Sequence, residues 1–269
     1  MRTPTICALL IAVLEVFAPS ARQRTDPFIG QPGKDVSWVT TPDALVDRML
    51  DLAKVSREDY LIDLGSGDGR LVIAAARRGV RSLGVEYDAT LVALAARRAG
   101  AERLGAEATF EKQDLFETDL SKATVITMFL LPELNLKLRP KLLRLAPGTR
   151  VVSNTFPMDD WYPDESTTLT EGCQSWCTAL MWIVPADVAG VWRVDGRTLR
   201  VEQKFQRIRV TQGRKAASDA SLRGAAIHFS IDGRAYEGSV LGDTMTGTVR
   251  TGGRAASWTG RRMFTRNLQ

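Results

Sequence analysis

Asp63, Gly65, Gly67, Asp68 and Gly69 crowd together in the stretch Asp59-Tyr-Leu-Ile-Asp-Leu-Gly-Ser-Gly-Asp-Gly-Arg70, with Ser66 between the first two glycines. Glycines at alternate positions let a backbone approach a ligand closely, and a helix starting at once behind them offers unpaired N–H groups. The spacing is not the G-x-G-x-x-G of a dinucleotide site, and an acid at Asp68 would repel a pyrophosphate. Such a loop suits a ligand carrying a positive sulfonium and an amino group. Glu86 follows Asp63 by 23 positions, at the end of a second apolar run. A carboxylate there can accept both hydroxyls of a ribose lying across the strand tips. Gln113-Asp114-Leu115-Phe116 comes next, with an acid for an adenine amino group and an apolar pair to cover its ring. Any one of these acids could be an ordinary strand-end or cap residue. Three at successive strand ends, on one edge of one sheet, point to a nucleoside.

Those positions only meet if the elements around them form a parallel sheet. Apolar runs at Tyr60–Asp63, Ser82–Glu86, Thr109–Lys112, Ala123–Phe129 and Thr149–Asn154 alternate with helical patterns at Arg70–Arg78, Ala89–Arg103 and Leu134–Leu145. Alternation with Val/Ile/Leu-rich strands predicts a mostly parallel α/β sheet covered on both faces. Thr41-Pro42-Asp43 opens a helix ahead of it, with threonine as the cap, proline in the first turn and an end near Val55. Thr167–Thr170 and Ala179–Val184 read as a closing antiparallel hairpin, completing seven strands. From about Val188 helical periodicity stops. Turn pairs at Asp195-Gly196, Asp232-Gly233, Gly242-Asp243 and Gly252-Gly253 then separate short alternating runs. That predicts a small antiparallel β domain over 188–265, a sandwich or part-barrel, behind a sheet domain over 41–187.

The chain has 269 residues, 44 % hydrophobic and 25 % charged, which is ordinary for a globular protein with a full core. One histidine, His228, and three cysteines exclude most histidine-dependent chemistry and leave little for a zinc site, so no metal is expected. The net charge is +5, and 15 Lys/Arg against 7 Asp/Glu lie from Asp187 onward. A solvated strand face explains such a surplus as readily as an anionic partner does. Residues 1–21 carry a basic start, an apolar run from Ile6 to Ala18 and small residues after it, the shape of a secretory signal. Glu15 interrupts the run and Arg2 is the only side-chain cation before it. Export or anchoring to a membrane through the N-terminus is the expectation, and an apolar helix of a cytoplasmic protein is the alternative. Residues 22–40 read as a linker or irregular lead-in. Cys173 and Cys177 could pair across a turn in an exported protein and would be buried thiols in the cytosol.

In that order, DLGSGDGR, GVEYD and QDLF resemble the successive motifs of class I S-adenosylmethionine-dependent methyltransferases. Trp38-Val-Thr-Thr-Pro42, Phe129-Leu-Leu-Pro132 and Val151-Val-Ser-Asn-Thr-Phe156 narrow the resemblance. Together they are similar to a bacterial group related to mitochondrial lysine N-methyltransferases that modify the ATP synthase c-subunit and the adenine nucleotide carrier. The resemblance spans roughly residues 36–185 and implies S-adenosylmethionine as cofactor on a Rossmann-like sheet. It implies that Asp63, Gly65, Ser66, Gly67, Asp68 and Gly69 line the methionine part, that Glu86 holds the ribose, and that Asp114 and Leu115 meet the adenine. Phe129 joins the cofactor set, and the Thr-Thr-Pro segment closes over it with Thr41 nearest. The chain departs from the pattern at Thr40, where proline is usual. It departs again at Phe129-Leu130-Leu131-Pro132, where many amine methyltransferases carry Asn/Asp-Pro-Pro-aromatic.

Methyl transfer is an in-line displacement that needs an aligned nucleophile and a dry site. A lysine acceptor must also lose a proton from a group with an unperturbed pKa of about 10.4. Aromatic walls would favour the neutral amine, with Trp38, Phe129, Trp161 and Tyr162 as candidates. Thr41 and Asn154 are the polar groups best placed by chain position to touch an acceptor, and no single general base is expected. The acceptor itself stays open between a protein lysine and a small molecule or lipid, with no nucleic acid expected. Two other readings are a nicotinamide-dependent oxidoreductase, disfavoured by the glycine spacing and Asp68, and a non-catalytic envelope protein that keeps the cofactor fold.

Overall fold

The computed structural model describes residues 27–34 and 37–264. The apolar run over residues 1–21 lies outside the described residues. The first sheet is built from β1 (Tyr60–Leu64), β2 (Arg81–Glu86), β3 (Ala108–Lys112), β4 (Val125–Met128), β5 (Arg150–Asn154), β6 (Glu165–Thr168) and β7 (Thr178–Ile183). Its order is β3-β2-β1-β4-β5-β7-β6. The first five strands are parallel, and the β6–β7 hairpin closes the edge antiparallel to β5, as the alternation predicts.

Helices α1 (Asp43–Leu52), α2 (Arg70–Arg77), α3 (Ala89–Ala101) and α4 (Pro132–Leu142) cover the sheet. Strand side chains point alternately to its two faces. Leu61, Val125 and Val152 therefore pack with Leu45, Met49 and Leu50 of α1 and Leu71 of α2. Ile62, Leu64, Ile126 and Val151 pack with Leu138 and Leu142 of α4 on the other face. Burial on both faces accounts for the continuous apolar strands.

Two local expectations are corrected. Thr41 does not cap α1: Pro42 occupies that position without a side-chain bond. The Thr41 hydroxyl instead accepts from Asn154 Nδ2 at 3.3 Å, a partner 113 residues away that no local pattern reveals. Nor is the described part of 22–40 an irregular linker. Gly30 N–H donates to Trp38 O and Trp38 N–H to Gln31 O, with Pro32 bridged to Ser37, so it is a small hairpin. Gln31 Nε2 and Lys34 Nζ pin that hairpin to Asp88 and Asp114 at the ends of β2 and β3.

The second sheet comprises β8 (Gly190–Val194), β9 (Arg197–Lys204), β10 (Arg207–Gln212), β11 (Lys215–Ala216), β12 (Ser218–Arg223), β13 (Ala226–Ile231), β14 (Arg234–Leu241), β15 (Thr244–Thr251) and β16 (Arg254–Phe264). Its order, β11-β10-β9-β8-β16-β15-β14-β13-β12, puts the edge strands β11 and β12 next to each other in sequence. Ala217 between them donates its N–H to Val210 O, so the sheet curls nearly shut, a part-barrel. Trp192, Phe229, Tyr236 and Trp258 fill it, and the Phe229 and Tyr236 rings stack at 4.7 Å. Gly238 and Gly247 sit opposite each other; a Cβ on Gly238 would lie 2.7 Å from the Trp258 ring, and one on Gly247 would lie 2.5 Å from the Gly238 Cα.

Candidate active site

The C-terminal ends of β1, β2, β4 and β5 open onto one edge of the first sheet, and the hairpin before α1 folds across them. Two cavities lie beneath. The larger, about 170 Å³, is bounded by Gln31, Trp38, Glu86, Asp114, Leu115, Phe129, Phe156 and Trp176, among others. The smaller, about 30 Å³, is bounded by Thr41, Asp63, Ser66, Gly67, Asp68 and Arg70. Trp38, Val39, Gly65 and Phe129 wall both, so the two are neighbouring parts of one site.

The glycine loop explains its own composition. Gly65, Gly67 and Gly69 all take positive φ, at 77°, 53° and 78°, where other residues are strained. A Cβ on Gly67 would stand 2.5 Å from Trp38 Nε1, so glycine there lets the indole lie on the loop. Gly69 differs from its expected role. It lines neither cavity, and its bare backbone instead admits Ala95 and the Phe110 ring, either of which a Cβ would meet at 2.7 Å. Ser66 lines the smaller cavity, with its buried Oγ near Gly84 and without a hydrogen-bond partner among the described residues.

The acids divide by partner. Glu86 accepts the Gly67 N–H at 2.9 Å through one oxygen and the Asp88 N–H at 3.0 Å through the other. Its carboxylate is thereby held at the tip of β2, at the wall of the larger cavity. Asp63 is buried on β1 and accepts from Thr127 Oγ1 at 2.7 Å. Burial pushes its pKa up to about 7; the Thr127 bond opposes this, and the charges of Glu86 and Asp68 reinforce it. Asp68 is not a bare acid. Arg70 binds it through Nε and Nη2, and Arg98 of α3 adds a third guanidinium contact. Burial alone would raise the Asp68 pKa, but the Arg70 bonds and the two cationic charges outweigh it and hold the group below its ordinary value. Repulsion of a pyrophosphate by a free Asp68 therefore drops out as an argument. Asp114 is held low by Lys34 and by the Phe116 N–H, so its oxygens are already engaged at the rim of the larger cavity.

Arg70 was not singled out by the sequence. Its Nη1 donates to Thr41 O at 2.9 Å while its other nitrogens hold Asp68, tying the closing segment to the glycine loop. Thr41 and Asn154, far apart in sequence, do meet. Asn154 itself lines neither cavity; it is fully buried, and it supports Thr41, which lines the smaller one.

The aromatic wall needs the larger correction. Trp38 and Phe129 line the site, but Trp161 is fully buried, with ring contacts to Trp182 and Phe205. Tyr162 is exposed under Arg207, away from both cavities. The missing walls are Phe156, stacked on Phe129 with ring centres 6.0 Å apart, and Trp176, edge-on to Phe129 at 5.7 Å. Phe156 follows a turn at Thr155 with φ of 59°, and Trp176 sits at φ of 55° in a loop closed by a Cys173–Cys177 disulfide. The two-cysteine frame was the available signal for Trp176.

Comparison with known proteins names the chemistry. The ANTKMT methyltransferase domain matches residues 63–165. The chain is 42 % identical over 140 residues to a protein-lysine N-methyltransferase of Saccharolobus islandicus, spanning 51 % of this chain and 87 % of that one. It is 34 % identical over 159 residues to the ATP synthase c-subunit lysine N-methyltransferase of Caenorhabditis elegans, spanning 58 % and 80 %. An RNA methyltransferase of Salinibacter ruber, crystallised with S-adenosyl-L-homocysteine, aligns with a TM-score of 0.53 and 48 % identity over 56 % of this chain and 96 % of that one. With its Rossmann-like sheet and glycine loop, the chain belongs to the ANTKMT family of S-adenosylmethionine-dependent methyltransferases.

Proposed function

We propose that the methyl acceptor is the ε-amine of a protein lysine, and that the cofactor lies along the two joined cavities. The residues present fit S-adenosylmethionine. Gly65 and Gly67 leave no side chain between ligand and backbone, and Asp63 is a buried carboxylate that accepts from Thr127, suited to a ligand ammonium. Glu86 is fixed by two backbone N–H groups with lone pairs left for ribose hydroxyls. The cofactor supplies a sulfonium whose methyl carbon is open to attack by a nucleophile in line.

What the chain itself does is orient and dry the site. Trp38 and the hairpin from Gly30 cover the loop, and Arg70 holds Thr41 down against it. Phe129, Phe156 and Trp176 make an apolar stretch of the larger cavity's wall. A flexible alkyl stem ending in an amine suits such a wall: burial disfavours the ammonium, and the π faces hold it until its proton is lost. The observation that carries the reading is this aromatic wall, which can take up an alkyl stem and disfavours the charged form of the amine at its end. The curated relatives named for lysine methylation support the same choice.

Incubating the protein with methyl-labelled S-adenosylmethionine and a cell extract, then hydrolysing the labelled protein, should return label as methylated lysine. Label recovered in RNA, as the name of the Salinibacter ruber relative would suggest, or in lipid would contradict the proposal. Export or membrane anchoring by residues 1–21 is retained as a proposal; the Cys173–Cys177 bridge supports an oxidising compartment. Among the described residues no helix is long and apolar enough to cross a membrane.

A further inference from the structure

Trp176 lies beyond the residues matched by the methyltransferase domain, and its position is costly for the chain to hold. It is the last residue of the loop between β6 and β7 before Cys177, it is a bulky residue at φ of 55°, and two-fifths of it remains exposed. A left-handed backbone is unfavourable for a residue with a bulky side chain, so something must keep it there. The surrounding contacts show what does. The β6–β7 ladder ends with Leu169 N–H donating to Cys177 O at 2.9 Å and the Thr168 and Thr178 hydroxyls 2.9 Å apart. Just past that rung, the Cys173–Cys177 bridge closes a five-residue ring that has Trp176 as its one aromatic member.

The same ladder fixes where the ring points. Asn154 pairs with Ala179, and Thr155 donates its N–H to Thr178 O at 2.7 Å, which sets the loop beside the turn that delivers Phe156. Trp176 then meets Phe129 edge-on and lines the larger cavity. Among the described residues, this indole belongs to none of the buried clusters that build the sheet domain.

We propose that Trp176 is an acceptor-contacting residue, the outer wall of the channel for the lysine stem, and that Cys173 and Cys177 are its positioning residues. The proposal rests on the lysine reading above. Opening the bridge frees the ring to sample many conformations, and the indole leaves the channel. Reduction by a dithiol breaks the S–S bond, places two electrons and two protons on the pair as thiols, and leaves the reductant as its cyclic disulfide. Cofactor binding does not depend on the bridge, because Asp63, Gly67 and Glu86 are held by their own hydrogen bonds.

The test measures two affinities of the full chain. S-Adenosylhomocysteine binding is followed by calorimetry. With that product saturating, Nα-acetyl-lysine methylamide is titrated against the indole N–H resonances, with Nα-acetyl-alanine methylamide, which lacks the stem, as control. The Trp176 signal, assigned by its loss in Trp176→Phe, should shift with the lysine probe and not with the alanine amide. Lysine-probe affinity should fall at least fivefold in Trp176→Ala, in Cys173→Ser/Cys177→Ser and after dithiothreitol, and recover largely in Trp176→Phe. S-Adenosylhomocysteine affinity should stay within twofold throughout. Unchanged probe affinity in Trp176→Ala and in the reduced protein would overturn the proposal while leaving the lysine reading intact. No binding of the lysine probe to the oxidised wild type would overturn both.

Discussion

Asp63 shows how one residue can report on its ligand. With its pKa raised to about 7, it is mostly protonated below neutrality and ionised above it. A ligand ammonium beside it favours the ionised form, so binding expels the proton. S-Adenosylhomocysteine affinity should therefore rise by about tenfold between pH 6 and pH 8, and that slope should flatten in Asp63→Asn when followed by calorimetry. The stability linkage has the opposite sense. A folded pKa above the unfolded value makes the native state the better proton binder, so this group's contribution to stability declines as pH rises from about 4 to 7. Among single residues, the acids that line the two cavities were legible because they stand at strand ends or in the glycine loop with a characteristic spacing. Arg70, Phe156 and Trp176 were not. A guanidinium that ties Asp68 to Thr41, and two rings delivered by positive-φ turns, depend on contacts between distant segments.

At the scale of elements, β1 owes its seat to more than apolar packing. Asp59, just ahead of it, accepts from Ser56 N–H at 2.7 Å and Thr124 Oγ1 at 2.7 Å and pairs with Arg150 at the start of β5. Arg150 Nη1 also donates to Ala53 O at 2.7 Å, so one cluster joins the end of α1 to β1 and β5. Burial would raise the Asp59 pKa, but the Thr124 and Ser56 bonds and the Arg150 charge hold it low. Its stabilisation is thus present above the unfolded carboxylate value and is lost as pH falls through the lower folded one. Asp59→Ala leaves Arg150 without its carboxylate and should cost about 3 kcal/mol in urea unfolding, with S-adenosylhomocysteine affinity changed less than twofold. Strands and helices of the first sheet were legible because their periods, 2 and 3.6, are written locally. The hairpin over the site was not, since it is short, has turn-type composition and is fastened by Gln31 and Lys34 to residues far along the chain.

Over the whole molecule, two sheets with separate cores meet along a polar and aromatic seam. Phe205, at the turn after β9, stacks on Trp161 at 5.8 Å and lies under Arg139 of α4. Lys204 pairs with Asp160 at 2.9 Å, and Arg223 of β12 pairs with Glu165 of β6. The antiparallel character of the second sheet followed from its turn pairs. Its near closure was one of two forms the sequence left open, a sandwich or a part-barrel, and the choice rests on Ala217, between β11 and β12, donating its N–H to Val210 O of β10, a contact that alternation alone does not reveal. Trp161, expected as an acceptor wall, turned out to serve this seam, since a tryptophan's period cannot tell one buried surface from another. The chemistry of the whole molecule depends on where the first sheet holds its cofactor, and Glu86 tests that most directly. Calorimetric titration of S-adenosylhomocysteine should show one site per chain in the wild type and a loss of at least a hundredfold in affinity in Glu86→Ala, with Glu86→Gln intermediate. Equal affinity in the wild type and Glu86→Ala would contradict it.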